Sequence, residues 1–411
     1  MTRANETSVR AHALRTPPSA PGPIRIFTEA RLYDDGAGGV VALDRASSSG
    51  AWTSYVAHLE AVQLAARVGP ANPRAHLPIG EIPIYRLPFF QGPRQLISRL
   101  PQVIKAVASS TSEARLCIFV LPGPLGSIGA AWCRVRRRRY AVEVIGDPVQ
   151  VLRSGVIGPV GSHLAPVCGR LMTWLVGGAG AAHYVTEETL QRLYPPARHA
   201  HQHAFSNVDL SDTDFTPGPR RTPFPVRELI AVGTQDQLYK GHDDLIRAVA
   251  LLSATHPDLR LTLVGDGRHS AELRALAVAS GIADRVTFRG RVDSREELRR
   301  LLGRADLFCM PSRTEGLPRA LIEAMARGVP CIGTTVGGIP ELLPADLCVP
   351  PNDPVALASA MADFAEGTRD VTEVSRILWE RAQRFRPDQQ ARRREQWLAS
   401  VRRLAGLPVP R

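Results

Sequence analysis

Short runs of β-branched and apolar residues alternate with helical patterns from Ile24 almost to the end of the chain. This alternation is typical of βαβ units, in which parallel strands form a sheet and helices cover its faces. In the first half it predicts strands at Ile24–Glu29, Val62–Val68, Ile84–Pro88, Arg115–Leu121, Tyr140–Ile145 and Ala182–Thr186, and helices at Trp52–Glu60, Gly92–Ser109, Gly126–Arg136 and His163–Val176. In the second half it predicts strands at Glu228–Val232, Arg260–Val264, Arg285–Phe288, Leu307–Met310 and Pro330–Gly333, and helices at Asp243–Ser253, Ser270–Ser280, Ser294–Leu302, Pro318–Arg327, Val355–Ala365, Glu373–Phe385 and Gln389–Leu404.

A stretch rich in proline separates the two series of elements. Residues 212–227 contain four prolines in sixteen positions, which indicates a linker between domains. The predicted organisation is a disordered tail (1–22), a first α/β domain (23–211), the linker (212–227), a second α/β domain (228–386) and a terminal helical segment (387–411). Two α/β domains with a cleft between them are therefore expected.

The composition excludes several classes of protein. Apolar residues make up 44% of the 411 residues and charged residues 22%, which excludes disorder, collagen and a coiled coil for the whole chain. The net charge is +12, and only Lys105 and Lys240 are lysines, so the excess is carried by arginine. The charge is dispersed, and no zinc-finger spacing or RNP-type motif accompanies it, so we predict no nucleic-acid partner.

One block of basic residues is dense. Arginine fills five of the six positions from Arg134 to Arg139. Such a block can contact anionic lipid headgroups, or it can be a solvated loop between a helix and the next strand. The sequence leaves both interpretations open.

The sequence also indicates a compartment. Its six cysteines include no C-x-x-C pair and most lie in apolar runs, which is typical of buried thiols in a reducing cytosol. No signal sequence is evident, and the most apolar stretch, 167–182, is shorter than the ~20 residues of a spanning helix. A cytoplasmic protein is expected, peripheral on the cytoplasmic face of the inner membrane if the arginine block contacts lipid.

The strongest functional signal follows the predicted strand that ends at Met310. The loop emerges at the carboxyl edge of the sheet, where open α/β folds bind ligands, and Gly316 lets the backbone approach a ligand closely. The next helix begins near Pro318, and its free N–H groups favour an anion. Glu315 and Glu323 can accept hydrogen bonds from hydroxyl groups, so a polyol such as ribose or a hexose is the expected partner.

This segment resembles a known family. The spacing Glu315-x7-Glu323, followed by Gly328-Val329-Pro330 and by the run Val336-Gly337-Gly338-Ile339-Pro340-Glu341-Leu342, is similar to that of the retaining glycosyltransferases of the GT-B fold, family 4 type. The resemblance runs from Ile230 to about Leu343. It implies two Rossmann-like domains facing a cleft, and a C-terminal helix that crosses back to the first domain.

The resemblance also implies roles for these residues. Glu323 matches the glutamate that holds the nucleotide ribose, and Glu315 matches the one beside the donor sugar. The backbone around Gly316 and Leu317 is expected to contact the diphosphate.

A second segment matches the loop in which the family uses an arginine and a lysine to clamp the diphosphate. Lys240, one of only two lysines, stands at the position of the clamping lysine. The usual Gly-Arg pair is replaced by Gly233-Thr234, so one cation is missing. Arg313 or another arginine is expected to compensate.

Further matches are weaker. Strand ends at Gly265 and at Arg291-Val292 are expected to line the nucleotide pocket, as in relatives that read the base through backbone there. In the first half, Asp147 stands where many relatives carry a histidine, and it either orients the acceptor hydroxyl or the donor sugar, or caps the following turn. Ser47–Gly50 is expected to lie near the donor phosphate or the acceptor.

No metal or other cofactor is expected. His199, His201 and His203 alternate, but no cysteine or carboxylate lies within a few residues of them, which favours a polar strand. The Asp212-Thr213-Asp214 run lies in the linker, which makes its likeness to an Asp-x-Asp metal motif accidental.

The resemblance implies transfer of a sugar from a nucleoside diphosphate sugar to an acceptor hydroxyl, with retention at the anomeric carbon. Three interpretations stay open: an enzyme that builds a surface polysaccharide or lipid-linked glycan, an enzyme acting on a small-molecule or natural-product acceptor, and a non-catalytic nucleotide-binding protein. The non-catalytic interpretation stays open because Thr234 stands where the family usually has an arginine.

Overall fold

The computed structural model describes residues 22–43, 52–155, 158–220 and 225–409. The predicted tail, apart from Gly22, and the Ser47–Gly50 loop lie outside these residues. Within them, no helix is long and apolar enough to cross a membrane.

The first domain is a sheet with helices on both faces. Its strands in the described residues are β1 (Ile24–Asp34), β2 (Val40–Ala42), β3 (Val62–Gly69), β4 (Leu77–Pro78), β5 (Ile84–Leu87), β6 (Leu116–Leu121), β7 (Tyr140–Val144), β8 (Ala181–Tyr184) and β9 (His201–Ala204). Its helices are α1 (Thr53–His58), α2 (Gly92–Glu113), α3 (Pro124–Val135), α4 (Pro148–Arg153), α5 (Pro159–Val176) and α6 (Thr189–Leu193).

The central strand β1 pairs in parallel with β3 and β6, and β7, β8 and β9 follow β6 in parallel order. Beyond a register shift between Phe27 and Arg31, β1 also pairs antiparallel with β2, which carries β4 at the sheet edge. β2 and β4 were not predicted, because strands of two or three residues are too short to show a periodicity.

The second domain contains β10 (Glu228–Val232), β11 (Arg260–Val264), β12 (Val286–Gly290), β13 (Leu307–Met310), β14 (Cys331–Thr334) and β15 (Cys348–Val349). Its helices are α7 (His242–Leu252), α8 (Ser270–Ala279), α9 (Arg295–Arg304), α10 (Arg319–Ala326), α11 (Ile339–Leu342), α12 (Pro354–Ala365) and α13 (Val371–Ala382). The helix α14 (Pro387–Leu404) ends the chain's regular structure.

The strand order of the second sheet positions the site. The order is β12-β11-β10-β13-β14-β15 and every pairing is parallel, so the order reverses between β10 and β13. Open parallel sheets bind ligands at this switch point, outside the carboxyl ends of the strands. The two strongest motifs of the sequence follow directly after β10 and after β13.

The hydrophobic cores show where the chain passes from one domain to the other. Phe205 packs in the core of the first domain, whereas Val208 and Phe215 pack in the core of the second. The segment 208–215, assigned from the sequence to the first domain and the start of the linker, therefore packs with the second domain.

The helix α14 returns to the first domain, as expected. Trp397 is fully buried in the core formed with Ile24 and Tyr55, and Ser400 bonds to His203 Nε2 at 2.9 Å. The two domains are therefore joined both by the linker and by this helix.

Candidate active site

Lys240 and Glu315 meet at the switch point. Lys240 ends a short 3-10 turn after β10, and Gly241 follows with a φ of +68°. A Cβ atom on Gly241 would lie 1.9 Å from the Pro311 carbonyl oxygen, so only glycine fits between the two loops. Lys240 Nζ donates to Glu315 Oε1 at 2.6 Å.

A chain of hydrogen bonds holds Glu315. The buried Ser312 hydroxyl donates to Glu315 Oε1 at 2.6 Å, and Thr334 Oγ1 donates to the Ser312 carbonyl at 2.6 Å. The side chains of Lys240 and Glu315 are 18% and 8% exposed. The structure therefore fixes a partly buried ion pair whose lysine faces the end of the sheet.

Lys240 is a stable cation. Burial lowers its pKa, but the attraction of Glu315 and of Tyr239 outweighs burial, so the pKa of Lys240 is raised above its ordinary value. His242, the first residue of α7, lies beside it; burial and the Lys240 charge lower the pKa of His242 to about 4. A neutral histidine next to the lysine was not predicted.

The loop after Glu315 touches the first domain. A Cβ atom on Gly316 would lie 2.0 Å from the Ile145 carbonyl oxygen, and Gly338 N–H donates to the Gly316 carbonyl at 2.7 Å. Leu317 packs against the cores of both domains. The free N–H groups of the first turn of α10 follow directly, at the end of the sheet where an anion is favoured.

Glu323 lies on the second turn of α10 and is partly buried. The 315–323 spacing therefore places one carboxylate in the loop and one on the helix, as the sequence predicted. Binding of a ribose by Glu323 stays a prediction.

Glycines let the loops after β10 and β11 approach each other closely. Gly233 lies against the Lys240 side chain, since a Cβ atom there would be 3.2 Å from Lys240 Cγ. Gly265 has a φ of +137°, and a Cβ atom on it would lie 1.8 Å from the Gly233 carbonyl oxygen. Thr234 is exposed, and its hydroxyl accepts from the Asp236 N–H at 3.2 Å.

Arg313, which was expected to compensate for Thr234, is bound by other groups in this structure, and a contact with the diphosphate stays a prediction. Arg313 Nη2 donates to Asp243 and to Asp244, both at 2.7 Å, and its Nη1 donates to the Leu238 carbonyl at 2.8 Å. The side chain is 12% exposed. Its charge is neutralised by two carboxylates at the start of α7, so it braces the lysine loop.

Arg291 reaches across the cleft. Its Nη2 donates to the Leu43 carbonyl at 2.6 Å, and its Nε donates to Asp293 at 2.8 Å. Val292 packs against the core of the second domain. Their predicted place in the nucleotide pocket stays a prediction.

Asp147 is the N-cap of α4. Its Oδ1 accepts from the Val149 N–H at 2.8 Å and from the Tyr194 hydroxyl, and the residue is buried. The capping interpretation is therefore the one the geometry supports, because both contacts hold the carboxylate inside the first domain. A role toward substrate stays a prediction.

Glu341 lies in one of the family-like segments but had no predicted role. Its carboxylate accepts from three successive backbone N–H groups at the start of α6 in the first domain: Glu187 at 2.6 Å, Glu188 at 3.2 Å and Thr189 at 2.7 Å. Arg384 donates to the Glu341 carbonyl at 2.7 Å and also pairs with Glu187. No spacing rule could find this contact, because its partners are about 150 residues apart.

His203 and the two aspartates of the Asp212-Thr213-Asp214 run have structural partners. His203 bonds to Ser400, Asp214 pairs with Arg299, and Asp212 pairs with Arg386. Among the described residues, no group of three or more His, Cys, Asp or Glu side chains could hold a metal ion.

Comparisons with solved structures define the class of fold. Sucrose-phosphate synthase from Thermosynechococcus elongatus aligns over 93% of this chain and 99% of its own, with a TM-score of 0.67 and 20% identity. Anabaena HepE, solved with UDP, aligns over 92% of this chain and 100% of its own, with a TM-score of 0.63 and 17% identity. The fold is GT-B, as predicted: two Rossmann-like domains that face a cleft.

Residues 226–366, which span most of the second domain, match the model of the family glycosyl transferases group 1. Protein CapJ of Staphylococcus aureus is 26% identical over 65% of this chain and 67% of its own. The putative colanic acid biosynthesis glycosyltransferase WcaL of Escherichia coli is 36% identical over 40% of this chain. A GDP-mannose-dependent phosphatidylinositol monomannoside mannosyltransferase of Corynebacterium glutamicum is 34% identical over 38%. The alignments span less than half the length of these last two relatives, 42% and 45%.

Proposed function

We propose that the protein transfers a sugar from a nucleoside diphosphate sugar to an acceptor hydroxyl with retention at the anomeric carbon. The observation that carries this proposal is the Lys240–Glu315 pair at the switch point of a group 1 glycosyl transferase domain. The pair lies where the family resemblance expects the donor diphosphate and sugar.

The chemistry requires stabilisation of a leaving group. The transition state is oxocarbenium-like, and negative charge grows on the departing diphosphate. Lys240 and the first N–H groups of α10, next to Gly316 and Leu317, would stabilise that charge without reorganising. Glu315 would hold the lysine and accept a hydrogen bond from the sugar. In this family type the acceptor proton passes to the leaving phosphate, so no strong side-chain base is required.

The relatives support a glycan or glycolipid acceptor. One is named for colanic acid biosynthesis and another for a phosphatidylinositol mannoside. The donor varies among similar proteins: one relative is named for GDP-mannose, and a structural neighbour was solved with UDP-glucose. The base and sugar are therefore left to experiment.

Two alternatives each rest on one observation. N-acetyl-alpha-D-glucosaminyl L-malate synthase of Bacillus anthracis, 44% identical over 100 residues, is named for a small-molecule acceptor. Thr234 in place of the usual arginine, with Arg313 engaged by Asp243 and Asp244, favours a nucleotide-binding protein without catalysis.

A thermal-shift panel with UDP, GDP, ADP and their sugars identifies the donor, since a ligand at 100 times its Kd adds about 2.7 kcal/mol of stability. Turnover of that donor then separates an enzyme from a binding protein, and NMR of the product gives the anomeric configuration. Lys240→Ala, Glu315→Ala and Glu323→Ala should each lower turnover, whereas Lys105→Ala, at the exposed second lysine on α2, should not. Wild-type turnover in all three site variants would contradict the assignment.

A further inference from the structure

The outer face of α5 exposes large apolar side chains along its whole length. The α5 stripe consists of Val160, Leu164, Val167, Leu171 and Trp174, each between 40% and 63% exposed. Their spacing of four, three, four and three residues places them on one side of the helix, over about 21 Å at 1.5 Å per residue. The side of α5 that faces the core buries Ala165 and Met172, so much of the apolar surface of the stripe stays outside the core.

The sequence around α5 carries a charge of one sign. Between residues 114 and 186 there are eight arginines, and the acidic residues are Glu143 and Asp147, both buried. This segment therefore has a net charge of +6, and Glu113, Glu187 and Glu188 lie directly outside it. No arginine between 134 and 170 forms an ion pair with a carboxylate in the described residues, whereas many surface arginines elsewhere do.

The arginines and the α5 stripe form one surface. The Arg134 guanidinium carbon lies 4.7 Å from the centre of the Trp174 ring, at the C-terminal end of the stripe, and Arg136 lies 4.7 Å from the Trp132 ring. Arg170 is exposed on α5 itself, and Arg153 ends α4 just before the helix. Exposed apolar side chains rimmed by arginine and tryptophan are typical of surfaces that lie at a bilayer interface.

The surface continues toward the cleft. A groove of about 510 Å³ opens beside Trp174 and Arg170, and Tyr194 forms part of its wall. The Tyr194 hydroxyl donates to Asp147, which follows β7 at the carboxyl edge of the first sheet. A molecule held at this surface is therefore next to the acceptor side of the cleft.

We propose that the α5 stripe and the arginines around it dock the protein on an anionic lipid bilayer. The apolar side chains lie among the headgroups and upper acyl chains, and the arginines contact lipid phosphates. The unpaired positive charge favours a bilayer over a protein partner or a second copy, since a second copy would bring the same +6 charge against itself. Only the further step, in which a lipid-linked acceptor reaches the cleft, rests on the proposed function.

The test is sedimentation of the purified chain with vesicles, without nucleotide sugar. We expect the protein to pellet with phosphatidylcholine–phosphatidylglycerol vesicles, to pellet far less with phosphatidylcholine alone, and to be released by salt. Each arginine near the surface should contribute about fivefold in partitioning, so Arg136→Gln/Arg139→Gln/Arg153→Gln should lower binding by about a hundredfold. Leu164→Ser/Leu171→Ser should lower it by about tenfold or more.

The control is Val278→Ser/Val355→Ser, which removes two apolar side chains of the second domain that are more exposed than Leu164 and Leu171, and it should bind like the wild type. Unchanged melting temperatures show that the variants fold. The proposal is overturned if the wild type does not pellet with anionic vesicles, or if the stripe variant pellets equally well. A stable dimer in sedimentation velocity that Leu164→Ser/Leu171→Ser abolishes would also overturn it. None of these results depends on glycosyl transfer, so failure of the proposed function is distinguishable.

Discussion

Replacement of Lys240 by methionine keeps the side chain beside Gly233 and removes its charge. The Glu315 carboxylate, whose side chain is 8% exposed, then keeps the hydrogen bond from the Ser312 hydroxyl but loses the ion pair with the lysine. Removing one member of a fully buried pair costs about 3–5 kcal/mol. Because the Lys240 side chain is 18% exposed and water can partly replace it, we expect a loss of about 3 kcal/mol.

Glu315→Gln should cost less, about 1 kcal/mol, since the remaining lysine is the more exposed partner. With both charges removed, the double variant should lose about 2 kcal/mol instead of the sum of about 4, a coupling of about 2 kcal/mol. Stability is measured without ligand at pH 7, by thermal and urea unfolding. At about 2–4 °C per kcal/mol, Lys240→Met should lower the midpoint of the second domain by about 6–12 °C.

The double-mutant cycle gives a clear refutation. If the double variant loses the sum of the two single losses to within about 0.5 kcal/mol, the two groups do not interact in solution. Lys105→Met, at the exposed lysine on α2, is the control and should leave the midpoint unchanged.

Three further predictions concern the contact between the domains and the response to pH. Glu341→Ala removes three hydrogen bonds to the start of α6 and should lower kcat/KM by about tenfold, with a wider domain arrangement in small-angle scattering. Gly316→Ala puts a Cβ atom 2.0 Å from the Ile145 carbonyl oxygen and should reduce turnover by more than tenfold; Gly303→Ala, with its nearest neighbouring atom at 3.9 Å, should not. Burial lowers the pKa of His183 to about 3, so the folded state excludes a proton that the unfolded chain binds below about 6.5. The unfolding free energy should therefore decrease as the pH is lowered from about 6.5 to about 3. His183→Phe should reduce the change of unfolding free energy with pH by up to about 1.4 kcal/mol per pH unit. An unchanged pH dependence in urea unfolding would contradict the burial argument.

Among the predicted elements, the strands of the second domain agree best with the observed bounds. The bounds of β10, β11 and β13 agree residue by residue with the prediction, because buried parallel strands are continuous apolar runs that end in turn residues. The elements that were missed include β4, β15, α11, α6 and α4; they have two to six residues and are too short to show a period of their own. Their positions follow from the neighbours they pair with, which a local pattern does not encode.

In the candidate site, too, the sequence predicted some features and left others open. The motif spacing and the family resemblance predicted Lys240, Glu315 and the helix that follows, and the structure brings Lys240 and Glu315 into contact. Their roles toward a substrate stay predictions. The sequence did not determine the partner of Arg313, because a guanidinium binds whichever carboxylates the fold brings within reach, here Asp243 and Asp244.

The amino-acid sequence by itself determined the two α/β domains and the loop that carries the candidate chemistry, since hydrophobic period and turn residues act over a few positions. The tertiary structure decided which distant groups meet: Glu341 with the start of α6, and Arg134 with Trp174. It also decided that one side of α5 stays exposed, which an apolar run in the sequence does not reveal. Sheet order and domain packing set these contacts, and both are collective properties of the folded chain.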